Sequence, residues 1–427
     1  MSIVVTKSSP EVVVPSDPET PTGHIQLSSF DKFLCSVPVP LLLVFDKPIH
    51  HPVDTIKRAM SQALVHYYPI AGRLAAGADG GEVITCKGDG EEGGRGVLFV
   101  GASASGAVDD VVSSPALLKD LFLRYPEEEF CCHADPLLLM QVTEFSCGGF
   151  AVGVTWNHVL ADGAGMGQFL QALGELARGV PSVAAIVPVR SDDSVLAAPP
   201  PRGSGGVASI DWTCAECTTE GMAFLDLTIS SSFISGVKAT IGKPCTAFEV
   251  IVALLWQCRA RAVDCPAESP ASLVFGYNMR ALVGAAAGYY GNCLIQVSVV
   301  ATSGEVAKGE MKDVVTLIQT AKKKIGDETK KGDVVVVEQE QLQLGYNTLM
   351  VSSWRNLGLE APDFGSGRPA RVMWYEPQFS MPFFAICPPC KGSGGDGVNV
   401  LGYIVKKEHL DAFMHQIQAR LAATTVY

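Results

Sequence analysis

The residue of this chain with the clearest chemical potential is His158, which is followed four positions later by Asp162 and then by Gly163. A neutral imidazole can take a proton near neutral pH, because its unperturbed pKa is about 6.5. The run before it, 150–156, is apolar and β-branched, which is typical of a strand covered on both faces. Alternating glycines from 163 to 167 predict a tight turn, followed by a helix. The pattern therefore places a candidate general base at the end of a buried strand.

The spacing of His158 and Asp162 does not decide the role of the histidine, since His50 and Asp54 have the same separation in a polar, proline-containing stretch. A core histidine that is satisfied by a neighbouring hydrogen-bond partner is an alternative interpretation. A zinc site is disfavoured, because no glutamate follows His158 directly and no second histidine lies one turn later. The sequence predicts no metal ligand.

Length and composition indicate a globular enzyme of two domains. A chain of 427 residues exceeds one ordinary core, and 48% hydrophobic with 18% charged residues excludes a disordered chain. No run approaches about 18 apolar residues, and the N-terminus lacks the features of a signal peptide, so we expect a cytoplasmic protein without membrane spans. The formal charge of −12 argues against nucleic acid as a partner.

Thirteen cysteines are scattered along the chain, and several lie in apolar runs. The neighbours Cys131 and Cys132, and the C-x-x-C pair Cys387 and Cys390, have the spacing of redox or metal elements, but no second C-x-x-C completes a set of four ligands. Reduced thiols that pack as small hydrophobic groups are therefore expected.

A stretch rich in proline and glycine between 179 and 209 marks a linker or a long crossover. It predicts an N-terminal domain at 1–185, a linker at 186–210 and a C-terminal domain at 211–427. Strand-like and helical patterns alternate in both halves, which is typical of α/β domains with an active site between them. The predicted strands are 41–45, 97–100, 137–142, 150–156, 273–277, 294–300, 347–352, 383–386 and 398–405, and the predicted helices are 53–66, 167–176, 246–262, 305–325 and 407–421.

A second motif, Asp363-Phe364-Gly365-Ser366-Gly367, lies in the predicted C-terminal domain. Shorter motifs accompany it along the chain, at 27–31, 68–74, 246–249, 278–280 and 290–292. With these motifs in this order, the chain resembles the BAHD acyltransferases, plant enzymes that transfer an acyl group from coenzyme A to an alcohol or amine. The two signatures of that family are His-x-x-x-Asp-Gly and Asp-Phe-Gly-Trp-Gly. Ser366 stands where the family has tryptophan, which puts the local packing in doubt more than the chemistry.

The resemblance implies a fold of two similar domains of the chloramphenicol-acetyltransferase type, each a mixed β-sheet flanked by helices, with a channel at their interface. A segment near 370–395 is expected to exchange into the N-terminal domain. Coenzyme A and the acceptor enter the channel from opposite sides in this family. The resemblance further implies a monomer, with acyl-CoA as co-substrate and no permanently bound cofactor.

The resemblance also implies the roles of the motif residues. His158 is the general base that takes the proton from the acceptor, which attacks the thioester directly, so that no cysteine carries an acyl group. Asp162 points away from the substrate and pairs with Arg280 to hold the histidine loop. Asp363 and Gly365 support the structure, as Gly163 does beside the first motif.

The acceptor pocket of shikimate-using relatives is lined by hydroxyl side chains and by an arginine. Counting along the motifs places Val39, Leu41, Leu43 and Asn356 at those positions. An apolar wall without a fixed cation favours an uncharged or aromatic acceptor, because a buried carboxylate without a partner is very costly. The alternative is that the three apolar residues belong only to the core of a strand.

General likeness to one branch of the family favours an aromatic acyl donor, hydroxycinnamoyl or benzoyl. Lys243 and the hydroxyl of Thr246, at a predicted helix start, are candidates to meet the phosphates of coenzyme A. Shikimate, quinate or polyamine hydroxycinnamoyl transfer is the alternative activity, and a non-catalytic binding protein of the same fold is the alternative class. A serine hydrolase is disfavoured, because no Gly-x-Ser-x-Gly occurs at a strand-to-helix turn.

Overall fold

The computed structural model describes residues 3–77, 80–87, 95–125, 131, 133, 135–180, 186–196, 221–330, 345–376, 381–390 and 396–423. The strands are β1 (Val5–Lys7), β2 (Glu11–Val13), β3 (Gly23–Gln26), β4 (Pro38–Phe45), β5 (Arg73–Ala76), β6 (Glu82–Cys86), β7 (Val97–Ala104), β8 (Leu138–Phe145), β9 (Phe150–Asn157), β10 (Met222–Ile229), β11 (Pro270–Asn278), β12 (Leu294–Thr302), β13 (Thr348–Ser353), β14 (Arg371–Met373), β15 (Phe383–Cys387) and β16 (Val398–Lys406). The helices are α1 (Ser29–Phe33), α2 (Pro52–His66), α3 (Val108–Val112), α4 (Pro115–Leu118), α5 (Gly163–Ala177), α6 (Asp193–Leu196), α7 (Ser231–Ile241), α8 (Ala247–Val263), α9 (Arg280–Val283), α10 (Ser303–Lys308), α11 (Met311–Lys330) and α12 (Leu410–Ala423). Within these ranges, no helix combines the length and the apolar character that a membrane crossing requires.

The chain divides into two compact units. The first comprises Met1–Ala198, Val283–Cys293 and Arg355–Tyr375, and the second comprises Pro199–Leu282, Leu294–Trp354 and Glu376–Tyr427. Each unit contains one mixed sheet with helices, which confirms the predicted two-domain α/β fold. Of the segment near 370–395, β14 pairs with β4 in the first unit, and β15 lies in the sheet of the second.

The sheet of the first unit has the strand order β1-β7-β8-β9-β4-β14, with β2 also paired to β7. Strands β7 and β8 are parallel, and the other pairs are antiparallel. All eight residues of β9 are buried between β8 and β4, as its continuous apolar run predicts. A smaller three-stranded sheet of order β3-β6-β5 belongs to the same unit. The central strand therefore ends at Asn157, one residue before His158.

Helix α5 begins at Gly163, four residues earlier than predicted, with Asp162 as its N-cap. The predicted tight turn is therefore wrong, and the glycines at 163, 165 and 167 lie within the helix at negative φ. Their role is close packing, because a Cβ on Gly165 would overlap the carbonyl oxygen of Tyr290 and one on Gly167 would overlap that of Leu357. Any side chain there would push α5 away from the backbone of its neighbours.

The sheet of the second unit has the strand order β10-β16-β15-β13-β11-β12. Strand β13 runs parallel to both β11 and β15, and the remaining pairs are antiparallel. Helix α8 is buried along most of its length and packs against α10, α11 and α12. Each strand predicted between 273 and 405 is present within a few residues, whereas β10 and α7 lack a pattern that the sequence analysis recognised. The last predicted helix begins as a 3₁₀ turn, Lys407–His409, before α12.

The close approach at Gly165 is testable with one added methyl group. Alanine normally favours a helix interior by about 1 kcal/mol over glycine. We expect Gly165→Ala to reverse this preference and to destabilise the protein by about 1 to 3 kcal/mol, because the backbone of Tyr290 cannot give way as a side chain would. The measurement is the apparent melting temperature, followed by circular dichroism.

Gly326→Ala in α11 is the matched control, since a Cβ at that helical glycine meets no atom within 4 Å. It should leave the melting temperature unchanged or raise it. A Gly165→Ala protein that is as stable as the parent would contradict the close approach.

Candidate active site

His158 follows β9 directly and is half-buried. Its backbone N–H donates to the carbonyl oxygen of Val37 at 2.7 Å, which continues the pairing of β9 with the segment before β4. Its Nδ1 lies 3.0 Å from Oδ1 of Asn292, a fully buried side chain of the same unit. The strand thus fixes the backbone of the histidine, and Asn292 fixes one side of its ring.

In the loop from His158 to Ala161, three of the four backbone carbonyl oxygens accept hydrogen bonds from side chains. Nδ2 of Asn292 donates to the carbonyl of His158 at 2.7 Å, and Nη2 of Arg190 donates to that of Val159 at 3.0 Å. The indole Nε1 of Trp156 donates to the carbonyl of Ala161 at 2.9 Å. Because three of the four carbonyls have a fixed donor, the loop is held in one conformation without regular secondary structure.

Asn157, the last residue of β9, binds a backbone N–H group of the same loop. Its Oδ1 accepts from the backbone N–H of Ser36 at 3.1 Å and from that of Val159 at 3.0 Å. Asn157 has no exposed surface and does not take part in the contact between His158 and Asn292. It therefore anchors the loop independently of the imidazole.

Asp162 caps α5 and ties it to the segment that carries Asn292. Its Oδ1 accepts from the N–H groups of Ala164 at 3.1 Å and Gly165 at 3.0 Å, and its Oδ2 accepts from that of Cys293 at 3.1 Å. An aspartate cap is worth about 1 kcal/mol, and its charge also suits the positive end of the helix. Arg280 begins α9 in the second unit, so the predicted ion pair with Asp162 stays a prediction.

Behind Asn292 lies a buried ion pair that was not predicted as part of the site. Asp31 has no exposed side-chain surface, and its carboxylate lies 3.2 Å from Nη2 of Arg190. Burial lowers the pKa of Arg190, but the Asp31 carboxylate, together with Tyr289 and Tyr290, raises it, so that the net shift is upward and the guanidinium stays charged. Asp31 also accepts from both the backbone and side-chain nitrogens of Asn292, at 3.2 and 2.9 Å. Motifs at 27–31 and 290–292 were visible in the sequence, but nothing local indicated that they meet.

The surroundings of His158 favour its neutral form. Burial lowers the pKa of the imidazole below 6.5, while a hydrogen bond with the backbone of His158 itself, the charges of Asp162 and Asp31 and the hydrogen bond to Asn292 partly oppose this shift. As the pH falls, the imidazole of the unfolded chain takes up a proton at a higher pH than the imidazole of the folded protein. Protonation of His158 therefore lowers the free energy of unfolding in acid. At neutral pH the ring can accept a proton.

His50 and Asp54, the pair with the same spacing, lie in a different environment. Both are exposed, and they line an open surface groove of about 740 Å³ between β2 and α2. His158 does not line this groove. The contrast shows that the spacing alone carries no information about burial or about hydrogen-bond partners.

The second motif forms a turn that its own aspartate holds together. Oδ1 of Asp363 accepts from the N–H groups of Gly365 and Gly367, both at 2.8 Å, and Arg178 of the α5 C-cap lies against the carboxylate at 3.5 Å. Both glycines have positive φ, at 118° and 91°, which other residues rarely adopt. Phe364 packs edge-on against Phe45 of β4, with 5.3 Å between ring centroids. These contacts hold the turn together, and Ser366 Oγ is buried without a hydrogen-bond partner in the described part of the chain.

The candidate coenzyme residues lie in the second unit, at the start of α8. Thr246 is the N-cap and forms a capping box with Glu249, whose carboxylate is 2.6 Å from Nζ of Lys322. Lys243 is half-buried and donates to the hydroxyl of Thr316. Their contact with coenzyme A stays a prediction.

The candidate acceptor residues differ in exposure. Leu41 and Leu43 have no exposed surface within β4, whereas Val39, on the same face of that strand, is half-buried. Asn356 is exposed in a turn with φ of 61°, a conformation that asparagine tolerates. Their place in an acceptor pocket stays a prediction.

Neither a metal cluster nor a disulfide occurs among the residues that the structure describes. No three His, Cys, Asp or Glu side chains there are arranged to hold a metal ion. The ten cysteines in that part, including the C-x-x-C pair Cys387 and Cys390, form no disulfide.

Comparison with known proteins decides the family. A model described as the transferase family matches residues 3–419. The chain belongs to the BAHD acyltransferases. Acyl transferase 15 of Oryza sativa subsp. japonica is 41% identical, with both chains covered completely. A myricetin 3-O-glucosyl 1,2-rhamnoside 6'-O-caffeoyltransferase, AT1 of Crocosmia x crocosmiiflora, is 34% identical over 97% of this chain and 98% of the relative.

Among solved structures, vinorine synthase is similar, with a TM-score of 0.75, 21% sequence identity and 96% of both chains covered. At this identity the likeness establishes the fold. The relatives and the family match together establish an acyltransferase of the BAHD type.

Asp363 and Ser366 offer a matched pair of substitutions within one turn. We expect Asp363→Ala to destabilise the protein by about 1 to 3 kcal/mol, because two backbone N–H groups lose their acceptor. Ser366→Ala should be neutral or slightly stabilising, because the hydroxyl is buried and forms no hydrogen bond among the described residues. Apparent melting temperatures distinguish the two. Equal losses in both variants would show that Asp363 does not hold the turn.

Proposed function

We propose that this enzyme transfers an aromatic acyl group, hydroxycinnamoyl or benzoyl, from coenzyme A to the amine or hydroxyl of a small, largely apolar metabolite, with His158 as the general base. One observation carries the proposal: the imidazole of His158 is held at the end of the central strand β9 by a loop with fixed hydrogen bonds. Precise placement of such a base contributes about 10²- to 10⁴-fold to the rate.

The proposed chemistry is a direct displacement at the thioester carbonyl. His158 takes the proton from the acceptor as its nitrogen or oxygen attacks, the new C–N or C–O bond forms, and the C–S bond then breaks. The departing coenzyme A thiolate takes the proton from the imidazolium, which returns His158 to its neutral state. Asp162 and Asp31 favour the transient positive charge, since both raise the pKa of the ring.

Direct attack, rather than an acyl-enzyme, agrees with the state of the buried cysteines. Burial raises the pKa of Cys35 and Cys86 to about 12 and that of Cys258 to about 11. A thiol with such a pKa is almost entirely protonated at neutral pH and is a weak nucleophile.

Two further observations support the proposed donor and acceptor. The Crocosmia relative is named a caffeoyltransferase, and caffeoyl is a hydroxycinnamoyl group, which supports an aromatic donor. Val39 is apolar and partly exposed, and Asn356 carries no charge where shikimate-using relatives place an arginine. We further propose that Lys243 and Thr246 meet the phosphates of the coenzyme.

Removal of the imidazole tests the role of His158. We expect His158→Ala to fold and to lose about 10²- to 10⁴-fold in kcat/KM for an aromatic acyl-CoA with an aromatic amine. In the parent enzyme the acid limb of kcat/KM against pH should lie below 6.5, because burial holds the pKa of His158 below that value.

His50→Ala is the matched control, since His50 has the same spacing to an aspartate but is exposed. It should retain the activity of the parent. Residual activity of His158→Ala within a few-fold of the parent would overturn the assignment of the base.

Acceptor choice is tested by competition. With one aromatic acyl-CoA and equal concentrations of shikimate and an aromatic amine, we expect acylation of the amine to dominate. An aromatic ring that buries roughly 150 Å² gains several kcal/mol at about 25 cal/mol per Å². The shikimate carboxylate would instead lose water without meeting a fixed cation. Product ratios by mass spectrometry give the answer, and preferential acylation of shikimate would refute the proposed pocket.

A further inference from the structure

The amide of Asn292 is surrounded on one side by groups that only accept hydrogen bonds. Its Nδ2 lies 2.7 Å from the carbonyl oxygen of His158, 2.9 Å from Oδ1 of Asp31 and 3.3 Å from the carbonyl oxygen of Val159. Two carbonyls and a carboxylate cannot donate a proton to an amide oxygen. The nitrogen of Asn292 must therefore face them, and this chemistry determines the orientation of the amide.

The amide oxygen then faces the imidazole. Oδ1 of Asn292 is 3.0 Å from Nδ1 of His158, and a side-chain amide oxygen can only accept. A hydrogen bond at this distance requires a proton on Nδ1. In a neutral imidazole, a proton on Nδ1 leaves the lone pair on Nε2.

We propose that Asn292 is a positioning residue that holds His158 in the Nδ1-protonated tautomer, so that Nε2 is the atom that accepts the proton from the acceptor substrate. The inference rests on His158 being the general base of the proposed function. Free histidine prefers the opposite tautomer, with the proton on Nε2, which could not act as the base through that atom. Asn292 thus selects the less common form of the ring.

The residues behind Asn292 prevent its amide from turning over. Asp31 accepts from both its backbone N–H and its Nδ2, and the charge of Asp31 is balanced by Arg190 at 3.2 Å. The next residue, Cys293, donates its backbone N–H to Asp162. A rotated amide would place its oxygen against a carboxylate and two carbonyls, which all repel it. A chain of contacts that ends at a buried ion pair therefore holds the amide of Asn292 against the ring, beside the hydrogen bond that the ring forms with the backbone of His158 itself.

The charged and titratable groups around the ring support the same state. Within the first unit these are Asp162 at the start of α5, Asp31 of α1, Arg190 behind Asp31, and Tyr289, whose hydroxyl donates to the carbonyl of Asn292 at 3.3 Å. Burial raises the pKa of Tyr289, so its phenol stays protonated across the working range. Tyr289 and Arg190 therefore keep one charge state near neutral pH, because both have a raised pKa, and the tautomer should not change between pH 7 and pH 8.

The tautomer is directly measurable in the full-length protein without substrate. Long-range ¹H–¹⁵N correlation spectra of protein labelled with ¹⁵N-histidine distinguish a protonated Nδ1 from a protonated Nε2. The His158 signals are identified by their loss in His158→Ala. We expect a protonated Nδ1 and a bare Nε2 in the wild-type protein at pH 7.5, whereas a protonated Nε2 there would overturn the proposal whatever the behaviour of any variant.

Replacing Asn292 by an apolar residue of similar size tests whether its amide determines the tautomer of His158. Asn292→Leu should shift His158 toward the Nε2-protonated form and lower kcat about 100-fold or more, with KM for acyl-CoA changed only a few-fold, because the contact acts on the base and not on substrate binding. Retention of the Nδ1-protonated form and of kcat would show that other groups fix the ring.

Asn157→Leu is the matched control, because Asn157 is equally buried and holds the same loop through the backbone N–H groups of Ser36 and Val159. It should lower stability and leave the tautomer of His158 unchanged. An equal tautomer shift in both variants would show that Asn292 supports the loop but does not itself select the tautomer of His158. Failure of the proposed function would appear separately, as activity retained in His158→Ala, since the spectra require no turnover.

Discussion

The carboxylate of Asp31 is the interaction on which the rest of the site depends. It has no exposed surface, and a buried charge is very costly unless it is paired and hydrogen-bonded. Arg190 supplies the opposite charge, and Ser28 and Asn292 supply further donors. Because these partners come from three separated parts of the sequence, satisfying one charge brings three segments together around His158.

The same constraint explains why the loop after β9 needs no regular structure. The carbonyl groups of His158, Val159 and Ala161 are satisfied by the side chains of Asn292, Arg190 and Trp156, so a helix or strand is not required to pair them. An irregular loop of this kind can present a side chain at an angle that neither element allows. The histidine is consequently both rigidly held and partly accessible.

Close packing completes the arrangement on the other side of the loop. Asp162 caps α5, and Gly165 lets that helix approach the backbone of Tyr290. Tyr290 is separated from Asn292 by one residue, so the helix, the cap and the positioning amide are packed together. The net negative charge of the chain has little part in this, because the site depends on local pairs and not on a long-range field.

The sequence by itself determined the elements with a strong pattern and the identity of the motif residues. The apolar run at 150–156 predicts the buried strand β9, and the motif at His158 predicts a base at its end, because both signals are local. Tertiary structure alone decided that Asn292 meets His158, since residues 134 positions apart share no local pattern. Tertiary structure also decided the role of Gly165. A glycine in a sequence indicates that a Cβ is not tolerated, but a tight turn and a close approach of two backbone segments both exclude a Cβ. The distinction depends on which backbone lies opposite, and that is settled only when the helix packs.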